Sequence, residues 1–190
     1  MGALLKQMDV EAFLAWEETQ ELRHEFDGLA ARAMTGGTGA HAAIQRNLNY
    51  LLTGRLRGKP CQPYGSDLKL KLQYTIRYPD ASVVCKPVGP DDTFTTEPVV
   101  VFEILSKSTA NLDLGVKKAE YQATPSLQRY VVLHQTHRAA EVFYRSTDAE
   151  DGWAHADLLG DDSLDMPEIG ISIPLAEIYE DVALAKRGLA

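Results

Sequence analysis

Basic charge is scarce in this sequence: 19 Lys and Arg stand against 27 Asp and Glu, for a formal net charge of -8. A surface that is negative on average repels polyanions at long range. This excludes a protein that grips nucleic acid by its overall field and leaves room only for a local basic groove. Cysteine is scarcer still. Cys61 and Cys85 are the only two, neither belongs to a CxxC pair, and no zinc framework is expected. Both are expected to stay reduced, as suits a cytoplasmic protein. Long apolar runs are lacking too. Nothing approaches the roughly 20 residues needed to cross a bilayer, and MGALLKQMDVEAFLAWEE runs into an acidic amphipathic pattern without the apolar centre of a signal peptide. A soluble chain with no membrane association is expected. No repeat, linker or low-complexity stretch divides the 190 residues, 45% of them hydrophobic. Such a length buries a core without staples, so 1–190 reads as a single domain.

Periodicity supplies the elements. Asp9 ahead of Phe13, Leu14 and Trp16 predicts a capped helix over 9–19. RHEFDGLAARAM, with Asp27-Gly28 at its centre, predicts a hairpin. The loop TGGTGA lacks the Lys-Ser/Thr ending of a phosphate loop and is read as flexible connection only. From His41, the residues Ile44, Leu48, Leu51, Leu52 and Leu56 recur at helical spacing up to Gly58. Leu68, Leu70 and Leu72 then alternate with Lys69 and Lys71, the pattern of a half-buried strand whose lysines line a groove or, more commonly, guard an edge. Strands follow at 80–85 and 98–105, a helix at 111–123, a hairpin from RYVVLHQ and AAEVFYRS, a strand near Trp153 and a helix-like tail from Pro174. The class is α/β or α+β, a mixed central sheet flanked by helices.

Within 98-PVVVFEILSKST-109 a carboxylate, Glu103, stands among Val100, Val101, Phe102, Ile104 and Leu105. Burying such a group unpaired is costly, so it is paired, ligated or catalytic. If 80–85 pairs with 98–105, Asp80 lies on the neighbouring strand, where facing residues are about 4.5–5.5 Å apart. Two carboxylates at that spacing repel unless a cation lies between them, and Mg²⁺ suits one or two carboxylates with waters and phosphates. Pro79 places Asp80 at a strand start or edge, open to a large substrate.

Pro79-Asp80, some twenty residues, then an apolar strand carrying Glu103 resembles the PD-(D/E)XK nuclease pattern. More narrowly, the ordered series RHEFDG, the Gly-rich loop with His41, SDLKL, YPDASVVC, VVVFEILSKST and DLGVKKAEYQATPSLQRYVV resembles the Uma2 family, a bacterial group of restriction-endonuclease-like proteins also known as a domain of unknown function. The resemblance spans nearly the whole chain and implies a restriction-endonuclease-like core. One departure stands out: the residue two beyond Glu103 on its face is Leu105, where the nuclease pattern has lysine. The family implies a migrated lysine at Lys117. Helical spacing agrees in part, since Asp113, Lys117 and Tyr121 share a face while Lys118 turns away toward solvent; Lys107 is the runner-up. The resemblance also implies accessory acids at Glu25 and Asp67. His41, at a helix start, is read as a local cap or a phosphate contact.

The leading expectation is a Mg²⁺- or Mn²⁺-dependent endonuclease, with Asp80 and Glu103 as metal ligands and Lys117 stabilising charge or positioning water. Its partner would be nucleic acid, DNA before RNA, and cutting two strands calls for two sites, hence a homodimer. The alternative is a non-catalytic binding or assembly module on the same scaffold. A third possibility, a small-molecule phosphodiesterase, would show a narrow closed pocket.

Overall fold

The computed structural model describes residues 8–106 and 112–184. Asp9 caps the first helix, α1 (Val10–Glu17), by accepting the Ala12 N–H at 2.8 Å. β1 (His24–Phe26) and β2 (Ala31–Ala33) form the hairpin around Asp27 and Gly28, and Gly28 takes the left-handed conformation (φ 87°) that the turn requires. α2 (Gly39–Leu56) begins at Thr38, whose hydroxyl accepts the His41 N–H at 3.2 Å. Short strands follow: β3 (Gln62–Gly65), β4 (Lys69–Lys71), β5 (Ile76–Arg77), β6 (Ala81–Val84) and β7 (Phe94–Thr95). The long strand β8 (Pro98–Leu105) leads to a π-helical turn, Leu112–Lys117, that runs into α3 (Lys118–Gln122). Then come β9 (Arg129–His134), β10 (Ala139–Arg145), β11 (Trp153–Leu159), β12 (Ser163–Met166), β13 (Ile171–Pro174) and α4 (Leu175–Ile178).

Six strands in the order β11-β10-β9-β8-β6-β3 make the central sheet, antiparallel except for the parallel pair β8–β9. Period-two alternation in β8 meets period-3.6 spacing in α2 on one face. Val100, Phe102 and Ile104 pack with Ile44, Leu48, Leu52 and Leu56, and the β12–β13 hairpin and α4 close that layer. On the other face Val101, Tyr130, Val132 and Phe143 pack with Leu70, Leu72, Tyr121 and Leu127. Here lies a second sheet, β2-β1-β5-β4-β7, with α1 against it through Phe13 and Phe26. The result is an α+β fold with a mixed sheet between helical and sheet layers.

Three expectations need correction. Cys61 and Cys85 are joined in a disulfide rather than free. They flank the Gln62–Val84 pair of β3 and β6, so the strand register itself sets them opposite each other. β4 is no edge strand, because it lies between β5 and β7. Lys69 is buried against Glu17 at 2.7 Å, and Lys71 meets Glu11 at 2.5 Å. Finally, the tail helix is cut to Leu175–Ile178, with the Tyr179 hydroxyl donating to the carbonyls of His134 and Ala139. No helix among the described residues is long and apolar enough to cross a membrane.

Candidate active site

β6 runs along β8 with Ala81 opposite Phe102 and Ser82 opposite Val101. Asp80 immediately precedes Ala81 and Glu103 immediately follows Phe102, so continuing this register by one step sets Asp80 across from Glu103. The Asp80 carboxylate bridges strand and helix: Oδ2 accepts the Ile104 N–H at 2.7 Å and lies 3.2 Å from His41 Nε2. Gln45, one turn further along α2, donates to the Asp80 carbonyl at 3.0 Å. His41 therefore does more than sit at a helix start. A Cβ at Gly37 would fall 2.9 Å from His41 Cγ, so the glycine is what lets the loop lie flat against the imidazole. The hydrogen bond to Asp80 raises the His41 pKa, against the opposing effect of burial, and the Asp80 and Asp113 charges add to the rise.

Glu103 is buried at the middle of the sheet. Its Oε1 accepts from Lys117 Nζ at 3.0 Å and from the Tyr121 hydroxyl at 2.9 Å. Lys117 also lies 3.1 Å from Glu25 Oε1 and 3.6 Å from Asp113 Oδ1. Glu25 is held in turn by the Tyr78 N–H at 3.1 Å and by the Arg77 guanidinium at 3.3 Å. Arg77 is fully buried and gives its stronger bonds, both 2.7 Å, to Glu120. The π-helical turn and α3 thus put Asp113, Lys117 and Tyr121 on one buried face, in agreement with their spacing.

The electrostatics are lopsided. Glu103, Glu25 and Asp113 surround one ammonium, and Asp80 stands across the strand. Burial pushes the Glu103 carboxyl up to about 8; Lys117 opposes this, and Asp80, Asp113 and Glu25 reinforce it. Lys117 is held in its charged form, well above the ordinary lysine range, because its carboxylate neighbours outweigh its burial. A divalent cation fits this donor set. It is hard, it takes carboxylate oxygens, and it would offset the excess negative charge. Among the described residues, both hydrogen bonds to Glu103 fall on Oε1, which leaves Oε2 for an outside group.

Of the residues singled out in the sequence, Asp80, Glu103, Lys117, Glu25 and His41 come together. Asp67 does not: its side chain is 84% exposed and pairs with Arg23. Lys107 lies outside the described residues. Lys118 is half-buried over the Phe143 ring, 4.8 Å from its centroid, rather than turned to solvent. Sequence reasoning missed Gln45, Arg77 and Glu120 as supporting groups. Gln45 carried a signal, since it sits four residues from His41 on the same helix face; Arg77 and Glu120 carried none without the fold.

A family model described as "Uma2: Putative restriction endonuclease" matches residues 10–176. The chain belongs to the Uma2 family. An uncharacterized family relative, slr1290 of Synechocystis sp. (strain ATCC 27184 / PCC 6803 / Kazusa), is 33% identical over 185 residues, 96% of each chain. A second, sll1609 of the same organism, is 25% identical over 166 residues, 85% of this chain and 93% of the relative. Among solved structures, one described as "a putative nuclease belonging to DUF820" from Anabaena variabilis ATCC 29413 superposes with a TM-score of 0.74 at 13% identity, over 90% of this chain and 97% of the other. At that identity the likeness is one of fold, and the fold is restriction-endonuclease-like.

Proposed function

We propose that residues 1–190 form one domain acting as a metal-dependent endonuclease that hydrolyses phosphodiester bonds of nucleic acid, DNA in the first instance. The observation that carries this reading is the facing pair Asp80–Glu103 beside Lys117 in a cluster with too few cations. Asp80 and Glu103 would hold Mg²⁺ or Mn²⁺, which when bound supplies Lewis-acid polarisation of a phosphate oxygen. Lys117, held charged and fixed by three carboxylates, orients the attacking water and stabilises negative charge developing on phosphorus. His41 positions Asp80, and Glu25 positions Lys117. Membership of the Uma2 family supports the reaction class. Two strands require two sites, so the active species is taken as a homodimer.

Calorimetric titration of Mn²⁺ at low ionic strength, into the intact chain and into Asp80→Ala and Glu103→Gln, tests the metal site. Binding in the first that is lost in both variants, with nicking of supercoiled DNA lost in step, is the expected result. Unchanged binding in Glu103→Gln would refute the assignment. Folded protein with no ion binding and no cleavage would favour a non-catalytic module, in which Lys117 merely closes a buried pair with Glu103.

A further inference from the structure

A second group of metal-ligand side chains lies on the same face of the central sheet, two strands away from Glu103. Val132 on β9 is opposite both Glu103 on β8 and Glu141 on β10, and Glu141 is opposite Asp157 on β11. Glu103, Val132, Glu141 and Asp157 therefore form one cross-strand row. With strands about 4.7–4.9 Å apart, Glu141 lies roughly 10 Å along that row from Glu103. His155 is two residues from Asp157, so it shares this face.

Glu141 and Asp157 are like charges directly opposite on adjacent strands, an arrangement that is destabilising by itself. Both turn toward one imidazole nitrogen: His155 Nε2 is 3.2 Å from Asp157 Oδ1 and 4.0 Å from Glu141 Oε2. A single nitrogen carries at most one proton and cannot serve two carboxylates well. The imidazole nitrogen and the two carboxylate oxygens all lie within 4.8 Å of one another. Ligand atoms bound to one ion at about 2.0–2.2 Å stand roughly 3–4.4 Å apart, so only a small contraction is needed. The surroundings hold the set in place. The ring of His155 stacks on Phe143 at 4.6 Å. His134 Nε2 sits 3.3 Å from Glu141 Oε1, the other oxygen of that carboxylate, as an outer partner to a ligating carboxylate does. Lys118, the nearby cation, is engaged over the Phe143 ring.

We infer that His155, Glu141 and Asp157 bind a divalent first-row transition metal ion, with His134 orienting Glu141 from outside the coordination sphere. One imidazole with two carboxylates selects an ion that accepts nitrogen as well as oxygen, such as Zn²⁺ or Ni²⁺, over Mg²⁺ and Mn²⁺. Two carboxylates and one such ion are electrically neutral. Three protein ligands leave open positions for water or a phosphate oxygen. On a chain of net charge -8, an ion here would supply local positive charge beside the Asp80–Glu103 pair without any basic patch.

The site stands apart from the nuclease reading and is tested apart from it. Zn²⁺ is titrated calorimetrically into the full chain carrying Asp80→Ala and Glu103→Gln, so that the first site is disabled. Saturable one-to-one binding is expected. Adding His155→Ala should weaken it by more than roughly 100-fold, Asp157→Asn should do likewise while keeping the side-chain shape, and His134→Ala should weaken it less, by roughly 10–100-fold. Thermal melts check that each variant is folded, and visible absorption of the Co²⁺-loaded protein should change with His155→Ala. Absence of saturable binding in the doubly substituted background overturns the inference. So does binding that His155→Ala and Asp157→Asn leave unchanged.

Discussion

Two buried clusters in this chain are built from the same three residue types and behave oppositely. Under α1, Glu17 accepts from Lys69 Nζ at 2.7 Å, from the Tyr78 hydroxyl at 2.6 Å and from the His24 N–H at 3.2 Å. On the central sheet, Glu103 accepts from Lys117 and Tyr121 at 3.0 and 2.9 Å. Burial pushes both carboxyls up. At Glu17 the bonds from Lys69, Tyr78 and His24 outweigh burial and hold the group below the ordinary range. At Glu103 burial prevails over Lys117, and the group rises to about 8 because Asp80, Asp113 and Glu25 repel its charge. One carboxylate with one ammonium closes on itself. Several carboxylates around one ammonium, with the guanidinium of Arg77 given mainly to Glu120, still need a cation. A buried lysine–glutamate pair is thus no sign of function by itself; the unbalanced one is what the proposed metal site rests on.

Removing each ammonium should break this comparison most sharply. Lys117→Ala is expected to retain Mn²⁺ but to lose about 10²–10³-fold in turnover, the usual scale for one transition-state donor. Lys69→Ala should leave turnover near wild type and cost roughly 3–5 kcal/mol in stability, since it strands Glu17 as an unpaired buried charge. Turnover measured alongside urea unfolding separates the two. An unchanged rate in Lys117→Ala would move the catalytic cation to Lys107 or abolish it.

The two clusters were unequally legible in the sequence. The overloaded one was visible because a carboxylate interrupting an apolar strand is anomalous on its face, because a facing acid could be placed by strand pairing, and because the family resemblance pointed to Lys117, with helical spacing in partial agreement. The balanced one was invisible. Lys69 alternates with leucines as an exposed residue would, and only the packing of α1 supplies the Glu17 that lets it be buried. Two-residue strands such as Ile76–Arg77 and Phe94–Thr95 are too short to carry any period. The hairpin of β12 and β13 is polar where it faces outward and leaves Leu164, Met166, Ile171 and Ile173 to mark it. The disulfide depends on a strand register that cysteine spacing does not reveal.

Changing pH should separate the clusters in opposite directions. Glu17 has a depressed folded pKa, so its contribution is present above its unfolded value, about 4.3, and is lost as pH falls through the folded one. Glu103 has a raised folded pKa. The folded state holds its proton more tightly than the unfolded chain does, and stability therefore declines as pH rises from about 4.3 toward 8. Mn²⁺ should reverse that decline, because the ion takes the place of the proton. Melting temperatures between pH 5 and 8 are expected to fall without the ion for wild type but not for Glu103→Gln, with a stabilisation by Mn²⁺ that grows with pH. A Mn²⁺ effect independent of pH would mean that Glu103 is not a ligand.

The smallest effects should come from the two hydroxyls, and they sharpen the comparison because Phe preserves the packing in both places. Tyr78→Phe deletes a 2.6 Å bond to an ionised carboxylate; bonds to charged groups contribute about 1.5–3 kcal/mol, and this loss should appear in urea unfolding at pH 7 and fade only as pH falls below the ordinary carboxylate range, through the depressed folded pKa of Glu17. Tyr121→Phe removes a donor from Glu103, which near neutral pH is largely protonated without an ion, so little stability should be lost. Its effect should appear instead in Mn²⁺ titration, as a weakening of a few-fold, since the ligating carboxylate loses the hydroxyl that supports its charge. Equal stability losses in the two variants would mean that Glu103 is as fully ionised and balanced as Glu17, and that the excess charge on which the proposed metal site rests is absent.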